Sequence, residues 1–183
     1  MDCCELLRGV IVSSFELRRI LKSDNTWNEF CEDWRSQCEG LGEDFSEYAS
    51  EPLSVLETII DSDDPTTWVV GVWDGKHFFG ACLVNCALLP KTIGKTLRVR
   101  QVVVSPLLDY GEVDDTVYAD TLIALASGVV KLSESDLAAQ HIKFHLRSPH
   151  DMMFFRAFGN ALDKPGVFEA VEMRGAWLYI TKR

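Results

Sequence analysis

No apolar run in the chain approaches the roughly 20 residues that a membrane-spanning helix requires, so no membrane partner is expected. The opening residues Met1-Asp2-Cys3-Cys4-Glu5 lack the basic region and apolar stretch of a secretory leader, and the cytoplasm is the expected compartment. None of the six cysteines (Cys3, Cys4, Cys31, Cys38, Cys82, Cys86) has a second Cys or His pair at zinc spacing, so no metal is expected. Without an export signal the thiols are expected to stay reduced. Repeats, low-complexity tracts and linkers are also missing. A length of 183 residues with 47% hydrophobic and 25% charged content then suits one domain, 1–183, around one core.

Basic charge is scarce as well, with 18 bases against 28 acids and a net charge of −10. Between Asp24 and Asp64 stand thirteen acids and a single base, Arg35, which makes a local charge of −12. Such a surface repels phosphates, so no nucleic-acid partner is expected. It reads either as a solubilising face or as a docking surface for a basic protein partner.

What is present reads as alternating strands and helices. Glu5–Val12 is a β-rich run, and Ser13 with Glu16 three residues on predicts a capped helix to about Lys22. Thr26 and Glu29 form a second capping signature ahead of Trp27, Phe30, Cys31, Trp34 and Cys38, which fall on one helical face ended by Gly40 and Gly42. Pro52–Asp61 reads as a further helix. Trp68–Trp73 and His77–Asn85 form a hairpin around Asp74-Gly75, a pair that favours positive φ. Leu97–Ser105, with Val102-Val103-Val104, suggests a central strand buried on both faces. Thr116–Leu132 carries a helical apolar stripe. His141–Arg147 alternates as a strand with Ile142, Phe144 and Leu146 inward. A helix over Ser148–Leu162 and a hairpin of Val167–Met173 with Ala176–Thr181 close the chain.

Between the central strand and the helix near Asp115 lies Pro106-Leu107-Leu108-Asp109-Tyr110-Gly111-Glu112-Val113-Asp114, an acidic turn. The order of elements, the strand end Val104-Ser105-Pro106 and the later Phe154-Phe155-Arg156-Ala157-Phe158-Gly159 resemble the Gcn5-related N-acetyltransferase superfamily. That resemblance implies an α/β (α+β) fold: a mixed, mainly antiparallel sheet of six to seven strands with helices on both faces. It also implies that the loop of Asp109, Tyr110, Gly111, Glu112, Val113, Asp114 and Asp115 is where the family grips the pyrophosphate of acetyl-coenzyme A.

The family needs glycines there because backbone amides must come close to the phosphates at a positive helix end. Here the family's basic position falls on Asp109 and its last two glycines on Glu112 and Asp114. Four acids lie within seven residues, 109–115, and no base stands among them. Acids suit a helix N-terminus by themselves and take the place of a phosphate. The family's tyrosine general acid falls on Phe155, which has no proton to give. Glu112, His145 and His150 remain as general-base candidates, each with a plain structural reading as a helix-end acid, an outward strand residue or a helix-start residue.

The resulting expectation is a non-catalytic scaffold that binds protein partners and needs no cofactor. Its alternative is an acetyl-coenzyme A-dependent N-acetyltransferase with a divergent loop. A third reading puts another small ligand in the splay between the fourth and fifth strands. The C-terminal pattern Ser148–Ile180 also resembles small acetyltransferase-like proteins of tailed bacteriophages, which implies virion proteins as partners and a place in the host cytoplasm or the particle.

Overall fold

The computed structural model describes residues 15–90, 92–146, 152, 153, 155, 156, 159 and 168–183. The first predicted strand, Glu5–Val12, lies outside them, as do Ser13, His150 and most of the predicted helix Ser148–Leu162. The elements are β1 (Glu16–Arg19), α1 (Thr26–Leu41), α2 (Phe45–Asp61), β2 (Thr67–Trp73), β3 (Phe78–Leu88), β4 (Lys95–Val104), α3 (Pro106–Tyr110), α4 (Asp115–Leu132), β5 (His141–His145), β6 (Phe168–Arg174) and β7 (Trp177–Lys182). Seven strands form a sheet in the order β1-β2-β3-β4-β5-β7-β6. β4 and β5 run parallel, whereas β1–β2, β5–β7 and β6–β7 are antiparallel. This is the mixed α/β class the sequence implies. No described helix is long and apolar enough to cross a membrane.

The described residues divide into two compact units, one built from those within 15–83 and 101–126, the other from those within 84–100 and 127–183. The core of the first is Ile20, Trp27, Phe30, Trp34, Ala49, Leu53, Leu56, Val69, Phe78 and Ala81. The predicted face of α1 supplies three of these aromatics, each large ring contributing about 2–3 kcal/mol on burial. Neighbouring residues of β3 point to opposite faces: Ala81 joins this core, while a side chain at Gly80 would stand 3.9 Å from Thr121 of α4. Helices therefore serve both faces of this strand.

The second unit is held by β5, β7 and β6. Ile142, Phe144 and Leu146 are buried, as the alternation predicts, Leu178 and Ile180 of β7 are buried with them, and Phe155 lays its ring 5.2 Å from that of Phe144. Cys31, Cys38, Cys82 and Cys86 are free thiols, and burial raises the pKa of Cys31 to about 11.

Several local expectations are corrected. Residues 16–19 form a strand rather than the helix predicted to Lys22, because pairing with β2 from Glu16↔Trp73 to Arg19↔Val70 satisfies backbone groups that a two-turn helix leaves open. The Arg19 guanidinium then sits 3.8 Å over the Trp68 ring. Thr26 does not cap α1: Asn25 is the N-cap with φ 69° and no side-chain bond to the helix amides, and the Thr26 hydroxyl instead accepts from Leu21 N–H at 2.7 Å. Gly42, at φ 76°, ends the helix as expected, whereas Gly40 lies inside its last turn.

The helix predicted from Pro52 starts earlier, at Phe45, since Asp44 accepts from the Ser46 and Glu47 amides and Pro52 is accommodated inside. In the Asp74-Gly75 turn only Gly75 takes positive φ, 98°, while the Asp74 carboxylate accepts from Lys76 and His77 amides. Val102, Val103 and Val104 are half-buried, so the end of β4 is less enclosed than its apolar run implies.

Candidate functional site

The strand-to-helix segment after β4 is a helical turn followed by a short loop, not one open acidic turn. Ser105, fully buried, caps α3 through its side chain to Leu108 N–H, and Pro106 at the first helical position gives up no amide that the turn needs. The Leu108 and Asp109 amides both bond Ser105 O, at 3.0 and 3.1 Å, and the Gly111 amide closes on Leu107 O at 3.0 Å. Asp109 therefore lies inside a helix rather than in a cradle. A Cβ on Gly111 would lie 2.3 Å from Leu107 O, so glycine is required by the closure of this turn.

Side chains of the same unit fix that turn. Gln37 Oε1 accepts from Leu107 N–H at 3.3 Å, and Gln37 Nε2 donates to Asp33 Oδ2 at 2.9 Å. Asp33 in turn accepts from Phe78 N–H at 2.7 Å, and its other oxygen lies 2.6 Å from His77 Nδ1. Trp34 Nε1 donates to Phe78 O at 2.9 Å and Tyr48 donates to Val104 O at 2.8 Å. Burial, with Asp109 nearby, raises the Tyr48 pKa well above the usual phenol range. Tyr110 meets the Tyr48 ring edge-on at 5.6 Å while staying half exposed.

After Gly111, Glu112 and Asp114 are exposed and Val113 is half-buried. The Asp114 carboxylate accepts from Thr116 N–H at 2.8 Å, and Val117 N–H bonds Asp114 O at 2.9 Å where α4 begins with Asp115. The Thr116 amide bond holds the Asp114 pKa below the ordinary carboxylate value. One of the amides at this helix end is thus taken by the chain's own carboxylate, as the sequence implies.

Of the general-base candidates, Glu112 sits in the solvent-facing loop of the first unit, and His145 stacks on Trp177 at 4.3 Å in the second. His150 lies outside the described residues. Phe155 is buried, consistent with a packing role. No group of His, Cys, Asp or Glu among the described residues could hold a metal.

Sequence reasoning missed the Asp33–His77 pair and Gln37. Asp33 and Gln37 are one helical turn apart, a visible spacing, but nothing in the sequence ties them to residues more than forty positions away.

No family model and no curated protein sequence matches the chain. Solved structures similar to it include N-acetyltransferases. One from Staphylococcus aureus Mu50 has a TM-score of 0.47 and 11% identity, covering 91% of this chain and 97% of its own. The Campylobacter jejuni N-acetyltransferase PseH has a TM-score of 0.45 and 13% identity, covering 92% and 98%. Glucosamine-6-phosphate N-acetyltransferase from Arabidopsis thaliana has a TM-score of 0.43 and 14% identity, covering 87% and 96%.

Proposed function

We propose that this chain is a non-catalytic protein of N-acetyltransferase-like fold that acts by binding protein partners and does not use acetyl-coenzyme A. The observation that carries the reading is the Asp114 carboxylate on the Thr116 amide, where that family's pyrophosphate would lie. The helical closure of residues 106–110 adds to it, because the Leu108, Asp109 and Gly111 amides are bonded within their own turn. A pyrophosphate approaching here meets Glu112 and Asp114 and finds no base in the loop. The acidic surface of residues 24–64, thirteen acids against one base, suits a basic protein partner. The finer placement, a cytoplasmic protein carried with a bacteriophage particle, rests on the C-terminal pattern alone.

Calorimetric titration with acetyl-coenzyme A tests the reading. No saturable heat is expected at millimolar cofactor, and micromolar binding overturns it.

A second reading, an acetyltransferase with a divergent loop, is favoured by Gln101. This non-glycine residue holds φ 51° inside β4, and backbone of that kind collects at functional sites. Acetyl transfer by the purified chain to any amine would establish that reading.

A further inference from the structure

The second unit carries a cavity of about 190 Å³, lined on its polar side by Thr92, Thr96, His141, Lys143, Glu172, Arg174, Tyr179 and Thr181. We propose that this cavity binds a phosphate group, either inorganic phosphate or the head of a small phosphate monoester. Ladder register and alternation explain why these residues converge. Thr96 stands opposite His141 and Arg98 opposite Lys143, on the side of β4 away from the fully buried Leu97 and Val99. His141 and Lys143 in turn pair with Thr181 and Tyr179 of β7.

Two cations, Arg98 and Lys143, therefore face each other across adjacent strands, an arrangement that destabilises a ladder. Neither has a carboxylate within ion-pair reach among the described residues. Lys143 Nζ rests 4.1 Å from the Trp177 ring and 4.5 Å from that of Tyr179, which orients the ammonium without neutralising it. The Arg98 guanidinium donates to Asn85 Oδ1, and its Nε is buried with no partner. On the same face the Thr96 hydroxyl, in a residue only 3% exposed, also has no partner. Buried polar groups are ordinarily satisfied, and the unsatisfied Thr96 hydroxyl in the cavity wall, beside a Lys143 ammonium that has no ion-pair partner among the described residues, points to an anion that accepts hydrogen bonds.

The lining distinguishes among anions. Glu172, the one acid, is held by Arg174 through Nε at 2.8 Å and Nη2 at 2.6 Å, so this pair adds little net charge. His141 Nε2 donates to Ile93 O at 2.8 Å, and its Nδ1 lies 3.1 Å from the Thr181 hydroxyl and engages it. The Thr92 and Thr96 hydroxyls and an ammonium match the several acceptor oxygens of a phosphate better than the two of a carboxylate. The volume falls below the roughly 300–1,000 Å³ of clefts that enclose drug-sized ligands, which limits the occupant to a headgroup.

The full chain is titrated calorimetrically with inorganic phosphate and, separately, with glycerol phosphate, with chloride at matched ionic strength as the control. Saturable binding of either phosphate, absent with chloride, is expected; tighter binding of glycerol phosphate assigns an organic monoester, and equal or weaker binding assigns the free ion. Lys143→Met keeps the stem packed over the two rings and is expected to weaken binding about tenfold or more. Thr96→Val matches the shape, removes the unsatisfied hydroxyl, and is expected to weaken binding while leaving the melting temperature unchanged or higher. A response equal to that of chloride, or unchanged affinity in both folded variants, overturns the proposal.

Discussion

Asp33 Oδ1 lies 2.6 Å from His77 Nδ1, joining the middle of α1 to the hairpin that precedes β3. The second Asp33 oxygen accepts from the Phe78 and Gln37 side of the same network, so one carboxylate organises three donors. Asp33→Ala leaves the Phe78 amide unpaired in a buried position. The expected loss is about 2–3 kcal/mol, or a melting temperature lower by roughly 5–10 °C. His77→Ala removes a half-exposed ring and leaves the Phe78 bond intact, so a smaller loss is expected. Thermal melts of the two variants check this, and equal losses would refute the ranking.

Tyr48→Phe removes the hydroxyl that bonds Val104 O, with an expected cost of about 1 kcal/mol. Burial raises the Tyr48 pKa, so the folded state favours the neutral phenol. The associated stability is fully present below the unfolded value near 10 and declines as pH rises above it. Absorbance titration of the folded protein should show one tyrosine resisting ionisation, and Tyr48→Phe should abolish that resistant fraction.

Asp24, Asp44, Asp64 and Asp114 all have pKa values below the ordinary 3.8, each through a nearby threonine or serine, or an amide of one. A depressed carboxylate value stabilises the fold above the unfolded pKa, and that contribution is lost as pH falls through the folded value. Melting temperature should therefore decline in the acid range below about pH 4. Asn can still accept at a helix cap but does not titrate, so an Asp44→Asn, Asp114→Asn double variant should show a shallower acid decline. An identical slope would contradict the assignment.

Gly111→Ala places a Cβ against the Leu107 carbonyl and forces the 106–111 turn open. A lower melting temperature is expected, checked by calorimetry. Replacing Asp109, Glu112 and Asp114 together by Arg, Gly and Gly tests a separate point. Since α3 bonds its own amides, acetyl-coenzyme A binding should stay absent in that variant, and a gain of affinity would show that the three side chains alone exclude the cofactor.

Alternation and helical spacing made much of this protein legible in advance. The period of two in 141–146 named the buried side of β5, and the aromatic stripe of α1 named its core face, because burial of one face leaves a periodic trace in the residues. The acids at the head of α4 were legible too, and the Asp114 contact with the Thr116 amide is a local event within two residues. Residues 16–19 were not, since their strand exists only through β2, more than fifty positions later.

The sequence by itself determined the order of elements from β2 to β5 apart from the turn of α3, the acidic helical surface and the carboxylates at the helix start, all of which follow from short-range patterns and composition. Tertiary structure alone decided that residues 106–110 close into a helical turn under Gln37, that Asp33 meets His77, and that Arg98 faces Lys143 beside an unsatisfied threonine. Those relationships depend on long-range packing and strand register, which bring together groups that no local periodicity connects.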